Sequence, residues 1–352
     1  MTTYVLHVVL FIILCFTGVD NTTAVVGRKG FRQHHNNINK NATHSPPHVF
    51  GENEFDHTID YERWQLNKTI LDTVYCPPPP ACPATANFNP KRLFNHLVRM
   101  RGSLIDSNRK ILMEFTPKAA CTLAVSMFLK SVGFHMNVHY NIWPHNFRER
   151  YFYPRCGEAN ACVYLDPTWY RFKVVRNPYD RAVSSYIHLC RFPEIGAGVF
   201  DSGLIPTLSF ERFLEILLSL PVATIEDLAS GHLGYQSTAY ERQIFYDNLR
   251  GAKPKRILFH RIVKAETLQE DLDKYVNAET NSTFQPFYRG EHLVHRSNEQ
   301  KEYVGDVEWN LLKAKIPKDY GTFYNEYSKD LVSQIFYWDL KLYNYTFPFD
   351  RT

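Results

Sequence analysis

Apolar and polar positions change their spacing several times along this chain. From about residue 87, short apolar runs of strand length alternate with longer stretches whose apolar residues recur every three to four positions. The strand-like runs are residues 111–115, 171–175 and 256–263, and the helix-like stretches are residues 119–132, 178–190, 209–220 and 266–276. This alternation predicts an α/β fold with three layers, in which helices flank a central parallel sheet.

The N-terminal part follows another pattern. Residues 4–19 form an apolar run of 16 residues, which is shorter than the ~20 residues of a comfortable membrane-spanning helix. A cleaved signal peptide and a short uncleaved anchor both stay open, and the cations Arg28, Lys29 and Arg32 after the run do not favour a type II orientation. The predicted organisation is a signal peptide or signal-anchor at 1–20, a polar stem with a Pro-rich turn at 21–86, and a globular domain at 87–352.

Sequons and cysteines indicate an oxidising lumen. N-x-[ST] sequons start at Asn21, Asn41, Asn67, Asn281 and Asn344. Two cysteine pairs have five intervening residues each, Cys76 with Cys82 and Cys156 with Cys162. This spacing is wider than the two to four residues usual between zinc ligands, and it leaves local and cross-paired disulfides open.

Composition excludes two classes of protein. Of the 352 residues, 44% are hydrophobic and 15% are aromatic, so the bulk of the chain is globular rather than disordered. The formal net charge is +4 and there is no long block of lysine and arginine, which argues against a nucleic-acid partner. A mild positive charge is compatible with an enzyme that binds an anionic ligand locally.

The first candidate site is the segment FTPKAACTL, residues 115–123, between a predicted strand and a predicted helix. Such a turn presents free N–H groups at a partially positive helix N-terminus, where a phosphate or sulfate fits. Lys118 adds a cation and Thr122 a hydroxyl. The small residues Ala119 and Ala120 let an anion approach the backbone. The absence of a G-x-x-x-x-G-K-[ST] motif excludes a nucleoside-triphosphate P-loop, and an ordinary turn with a solvated lysine is the alternative.

The second candidate site is the segment KVVRNPYDRAVSSY, residues 173–186, again a predicted strand followed by a helix. Asn177 is suited to cap that helix, and the proline after it is suited to the first helical position. Arg176 then lies at the carboxyl end of a strand, where α/β proteins bind ligands, and Ser184 lies about two turns into the helix. Their guanidinium and hydroxyl groups can hold a second phosphate. The alternative is a structural ion pair between Arg176 and Asp180.

The two sites together suit a ligand with phosphate groups at two distant places. The motifs P-K-x-x-C-T and R-N-P-x-x-R-x-x-S-x-x-Y resemble the 5'-phosphosulfate loop and the 3'-phosphate motif of sulfotransferases that use 3'-phosphoadenosine 5'-phosphosulfate (PAPS). The first motif is similar to its form in the membrane-bound carbohydrate sulfotransferases, including the chondroitin and dermatan type. Shorter similarities at residues 232–236, 258–271 and 295–297 extend the resemblance over roughly residues 87–346.

The resemblance implies the P-loop-like sulfotransferase fold, PAPS as donor, and a Golgi membrane protein with a lumenal catalytic domain, or a secreted protein if the N-terminal segment is cleaved. The residues implied in donor binding are Pro117, Lys118, Ala119, Ala120, Cys121, Thr122, Leu123, Arg176 and Ser184. Lys118 is also expected to stabilise the leaving phosphate. A general base is still needed, and the candidates are His139, His145 and His232. No H-E-x-x-H motif or clustered ligand set predicts a metal.

The expected acceptor is a hydroxyl group of a glycan. A sulfotransferase for protein tyrosine or a small hydroxyl metabolite, a non-catalytic lumenal glycan-binding protein of the same fold, and a nucleotide kinase are the alternatives. The intact Lys118, Arg176 and Ser184 argue against a non-catalytic protein. Leu233 stands where the family has Trp, and Leu123 stands where a polar or aromatic residue usually follows C-T, so these departures concern the acceptor rather than the donor.

Overall fold

The structure is a computed structural model, and it describes residues 75–82, 102–134, 144–196, 199–221, 231–251, 258–284 and 302–349. The predicted signal segment, most of the predicted stem and the candidate base His139 lie outside the described residues. The predicted domain boundary at residue 87 also lies outside them and stays a prediction.

A four-stranded sheet organises the described part of the chain. Its strands are β1 (Gly102–Asp106), β2 (Ile111–Phe115), β3 (Tyr170–Val175) and β4 (Arg261–Lys264), in the order β1-β2-β3-β4. β2, β3 and β4 are parallel, which confirms the predicted α/β class, whereas β1 forms an antiparallel hairpin with β2 that the sequence pattern did not predict. The sheet is therefore mixed rather than purely parallel.

Helices connect and flank these strands. The α-helices are α1 (Cys121–Ser131), α2 (Pro144–Phe147), α3 (Tyr153–Cys156), α4 (Ala161–Leu165), α5 (Pro178–Arg191), α6 (Phe210–Ser219), α7 (Ala239–Leu249), α8 (Leu268–Asp271), α9 (Ala278–Thr280), α10 (Trp309–Leu312), α11 (Glu326–Ile335) and α12 (Tyr337–Leu342). π-Helical turns at Arg148–Phe152 and Leu272–Asn277 continue α2 into α3 and α8 into α9. The predicted cap at Asn177 is confirmed, because its side chain accepts from Tyr179 N. The Ser209 side chain caps α6 in the same way by accepting from Arg212 N.

The two faces of the sheet are covered by different layers, as the alternation of side chains along a strand requires. Met113 and Phe172 lie on the face that packs against α1 and the 147–156 segment. Leu112 lies on the other face, in a smaller apolar cluster with residues of α4. A third cluster joins α5, α6 and α11 beyond the sheet. The flanked sheet is the three-layer arrangement that the sequence pattern predicts.

A buried ion cluster joins the two strands that carry the candidate motifs. Lys173 of β3 lies 3.2 Å from Glu114 of β2 and 2.7 Å from Glu241 of α7, and the lysine side chain is fully buried. Tyr164 donates to Glu114, and Tyr343 donates to Glu241. Because buried charges are tolerated only when they are paired, this cluster fixes the ends of β2 and β3 relative to each other.

The disulfides are cross-paired. Cys76 bonds to Cys156 and Cys82 bonds to Cys162, with a separation of 80 residues in each pair. Of the two arrangements that the spacing left open, the local one is therefore excluded. The segment 75–82 is held against α3 and α4, and Asn160 adds a hydrogen bond to the Pro80 carbonyl oxygen.

Candidate functional site

The turn between β2 and α1 has an unusual backbone. Lys118 and Ala120 have φ angles of 67° and 54°, in the left-handed region that residues with a Cβ rarely occupy. Ala119 N donates to the Thr116 carbonyl oxygen at 3.1 Å and closes the turn. Two strained residues in one short turn are typical of functional sites, and successive N–H groups in such turns form concave anion-binding surfaces.

The N-terminus of α1 is left uncapped by side chains. Its first intrahelical hydrogen bond runs from Ala124 N to the Ala120 carbonyl oxygen. The N–H groups of residues 121–123 therefore precede the ladder. No side-chain cap satisfies them, and the first turn carries no acidic residue. An 11-residue helix with these donors offers an anion both hydrogen bonds and a partial positive charge.

Lys118 is mostly buried beside other cations. Burial, together with the positive charges of Arg176, Arg191 and Arg181, lowers the pKa of its ammonium group to about 8, while Cys121 acts in the opposite direction. The protonated form of Lys118 is therefore disfavoured when no anion is bound beside these cations. A bound anion would favour it, because an opposite charge nearby stabilises the ammonium form.

The second motif meets the first. Arg176 follows β3, and its Nη1 donates to the Lys118 carbonyl oxygen at 3.3 Å. Its contact with Asp180 is 3.9 Å long, near the limit of an ion pair, so this structural pairing exists but is loose. Ser184 lies half-buried on α5, the helix that starts beside Arg176. The two turns that the sequence predicts to bind anions thus lie beside each other.

A loop formed by residues 231–238 packs against both turns, and sequence reasoning missed the residues that hold it. The fully buried Arg181 donates to the carbonyl oxygens of Pro117, Gly231 and Gly234 at 3.1, 2.7 and 2.7 Å. The carboxylate of Asp339, at the start of α12, accepts from two main-chain N–H groups of the loop. The second arginine of the R-N-P-x-x-R motif is Arg181, so the motif marks this residue in the sequence. Its loop partners could not be predicted, because they lie some fifty residues away in the chain.

Three histidines lie around Lys118. His145 faces Thr122, with 3.3 Å between its Nε2 and the threonine Oγ1. His232 stacks on His188, with ring centroids 4.9 Å apart. Burial and nearby positive charges lower the pKa of His145 to about 4 and that of His188 to about 3; the largest of these charges is Arg148 for His145 and Lys118 for His188. The structure therefore brings two of the three candidate bases to the site and adds His188.

Two further features concern metal ligands and membrane-spanning helices within the described residues. No group of three or more His, Cys, Asp or Glu side chains in this part of the chain is placed to hold a metal ion. Within the same residues, every helix is too short or too polar to cross a membrane. The apolar run at residues 4–19 lies outside the described residues.

The family model described as the Sulfotransferase family matches residues 101–346, which include both turns, the loop at 231–238 and α12. Comparisons with curated proteins and with solved structures give no match.

Proposed function

The chain belongs to the sulfotransferase family, whose members use PAPS as donor, and we propose that it transfers the sulfuryl group to a hydroxyl of a glycan in the secretory pathway. The single observation that carries the proposal is the hydrogen bond from the Arg176 guanidinium to the Lys118 carbonyl oxygen. This contact joins two anion-binding turns into one site. A donor with phosphate groups at both ends requires such a pair.

The residues at the first turn suit the sulfated end of this donor. When bound, PAPS supplies an activated sulfuryl group on a phosphate that leaves with added negative charge. The N–H groups of residues 121–123 and the Thr122 hydroxyl offer hydrogen-bond donors for these oxygens. Lys118 contributes the positive charge that stabilises the leaving phosphate, by the electrostatic logic of phosphoryl transfer.

The residues at the second turn suit the ribose 3'-phosphate. Arg176 presents a guanidinium group whose side chain is 25% exposed, so it reaches solvent and is not committed to a buried pair. Ser184 supplies a hydroxyl from α5. A planar guanidinium and a hydroxyl together match the oxygens of a phosphate group.

His232 is the histidine that we propose as general base. Its loop is anchored by Arg181 and Ser185, which both donate to main-chain carbonyl oxygens there. The ring lies against His188 and is electrostatically coupled to His145, and the charge of Lys118 acts on both of these neighbours. A base that removes the proton of the acceptor hydroxyl accelerates such a step by about 10²–10⁴-fold. His139 stays a second candidate.

The glycan acceptor and the Golgi location rest on sequence features. The resemblance to membrane-bound carbohydrate sulfotransferases, the sequons and the apolar run at residues 4–19 support them. Two disulfides also suit an oxidising compartment. We propose a lumenal catalytic domain on a single-pass anchor, with secretion as the outcome if the segment is cleaved.

A transfer assay with labelled PAPS tests the proposal. Desulfated glycans, tyrosine peptides and small hydroxyl compounds are offered in parallel, and label on a glycan supports the proposal while label only on a peptide or a small compound overturns the glycan assignment. We expect Lys118→Ala to lower kcat by about 10²–10³-fold. Lys110→Ala is a matched control, because Lys110 is also a left-handed lysine but lies at the opposite end of β2. Unchanged transfer by Lys118→Ala would refute the role of this lysine.

A further inference from the structure

The hydrogen-bond partners of His145 determine which of its nitrogens carries the proton. Arg148 Nη1 lies 3.3 Å from His145 Nδ1. A guanidinium group can only donate, so Nδ1 must be the acceptor and carries no proton. A neutral imidazole has one N–H, which is then on Nε2. His145 Nε2 therefore donates to Thr122 Oγ1, 3.3 Å away.

Arg148 is firmly placed for this task. Its guanidinium carbon lies 5.2 Å from the ring centre of Phe115 and 5.4 Å from that of Tyr153, so the group lies against both aromatic rings. Glu149 forms an ion pair with Arg148, and the Arg148 side chain is only 14% exposed. Arg148 is thus held by contacts that do not involve His145.

The neutral state of His145 agrees with this pattern, in which Nδ1 accepts a hydrogen bond and Nε2 donates one. An imidazolium would direct a second N–H at the guanidinium of Arg148, donor against donor. Burial and the charge of Arg148 accordingly lower the pKa of His145 to about 4. In this arrangement the lone pair of His145 is used by Arg148, which leaves it poorly suited to accept a proton from a substrate.

We propose that Arg148 and His145 are positioning residues, whose hydrogen-bond chain occupies the acceptor side of the Thr122 hydroxyl and leaves its own O–H to donate to the anion bound at the turn of residues 116–120. This inference rests on the proposed function, because that anion is the phosphosulfate group of PAPS. It assigns His145 a role in binding the donor, and the role of base then falls to another histidine.

A tautomer measurement tests the chain without any donor or activity. The full-length protein carries 15 histidines, and ¹⁵N-labelled histidine reports for each ring which nitrogen is protonated. The signal that disappears in His145→Gln belongs to His145. We expect an Nε2–H ring with an unprotonated Nδ1 near neutral pH. An Nδ1–H ring or a doubly protonated ring overturns the proposal.

Kinetics test what the chain does. A glutamine can donate from its amide as His145 Nε2 does, but it cannot act as a base. We expect His145→Gln to keep kcat/KM within about threefold of the natural protein, and His145→Ala to lose about 10–100-fold, the range of a hydrogen bond to a charged group. Equal losses in both variants, of the 10²–10⁴-fold expected for a base, overturn the proposal. His260→Gln is the control, because His260 also accepts an N–H at Nδ1 but lies at the β3 end away from the turn.

A double-mutant cycle shows whether His145 acts through Thr122. Thr122→Val removes the hydroxyl at constant shape. If His145 acts through it, adding His145→Ala lowers kcat/KM by no more than about threefold beyond Thr122→Val alone. Independent roles would multiply the two losses and overturn the proposal. A natural protein that binds no adenosine 3',5'-bisphosphate would refute the proposed function instead, while the tautomer result still stands or falls by itself.

Discussion

The side chain of Gln236 binds the peptide groups of Arg176 on both sides. Arg176 N donates to Gln236 Oε1 at 2.8 Å, and Gln236 Nε2 donates to the Arg176 carbonyl oxygen at 2.7 Å. The glutamine is fully buried and thus acts as a strand partner would at the end of β3. It links the loop that carries His232 to the arginine proposed to bind the 3'-phosphate.

Replacing this glutamine should weaken both the fold and donor binding. Gln236→Leu has a similar volume but leaves the partly buried N–H and carbonyl oxygen of Arg176 without this partner. Each costs about 1–3 kcal/mol, so we expect a loss of about 2–4 kcal/mol of unfolding free energy, measured by urea denaturation. The KM for PAPS should rise, because Arg176 loses its support.

A second glutamine is the control for that experiment. Gln243 donates to Asp247 within α7, away from both turns. Gln243→Leu should change stability by less than about 0.5 kcal/mol and leave the KM for PAPS unchanged. Gln236→Leu with the stability and KM of the natural protein would contradict the bridging role.

Arg181 and Arg171 provide a matched pair of buried guanidinium groups. Both are at most 2% exposed and both donate to main-chain carbonyl oxygens. Arg181 joins the first turn to the loop at 231–238, whereas Arg171 binds Leu258 and Asp166 at the other end of β3. Their environments are therefore alike, but their distance from the proposed donor site differs.

Arginine-to-lysine replacement separates stability from positioning. A lysine ammonium keeps the charge but cannot reach carbonyl oxygens in several directions as the planar fork does. We expect Arg181→Lys and Arg171→Lys to lower stability by similar amounts, about 2–4 kcal/mol. Only Arg181→Lys should also weaken the binding of adenosine 3',5'-bisphosphate and lower kcat, as measured by calorimetry and steady-state kinetics. Equal effects of the two variants on binding would mean that Arg181 is merely structural.

Local signals in the sequence predicted much of this arrangement. The strand at 111–115 has the predicted bounds, and α5 starts after Asn177 as its cap and following proline indicate. Such features depend on neighbours in the chain, whose side chains determine the backbone directly. The positions of the two strand-to-helix turns were predictable for the same reason, because each depends on one junction in the chain.

Features that depend on distant partners could not be predicted in this way. β1 is a five-residue strand whose pairing is decided by β2, and the disulfide partners are 80 residues apart. The left-handed Lys118 carries no sequence signal, since glycine is the residue normally found there. Nothing near Asp339 in the chain indicates that it binds the loop at 231–238.

The lowered pKa of Lys118 predicts an alkaline limit for donor capture. In the free enzyme this pKa is about 8, so the ammonium group loses its proton as the pH rises through that value. We expect kcat/KM for PAPS to fall above about pH 8, by about tenfold per unit. The anionic donor raises the pKa of a lysine beside it, so kcat should fall only at higher pH. Stopped-time assays between pH 6 and about 10 measure both alkaline decreases, that of kcat/KM and that of kcat.

Two variants identify the titrating group. Lys118→Arg should lack the decrease in kcat/KM near pH 8, because a guanidinium keeps its proton throughout this range. Cys121→Ala removes the nearby thiol and should retain this decrease in kcat/KM. An alkaline decrease in kcat/KM that is unchanged in Lys118→Arg, or one centred near the ordinary lysine pKa of 10.5, would exclude Lys118 as its source.

The two disulfides should stabilise the domain in a non-additive way. Each bridge alone closes a loop of 80 residues, which is worth about 4.5 kcal/mol in the chain-entropy description. With one bridge in place, the second closes only a small ring built from residues 76–82 and 156–162, worth about 3 kcal/mol. Removing one bridge therefore costs the smaller amount, and removing both costs the sum of the two terms.

Paired serine variants test this expectation without leaving lone thiols. We expect Cys76→Ser with Cys156→Ser to lose about 3 kcal/mol of unfolding free energy, and Cys82→Ser with Cys162→Ser to lose a similar amount. The variant without either bridge should lose about 7.5 kcal/mol, more than the two losses added, because the long loop is then open as well. Urea denaturation of the oxidised proteins measures each value. Losses that simply add would show that the bridges act on separate parts of the unfolded chain. This result would contradict the expectation that both bridges close the same long loop.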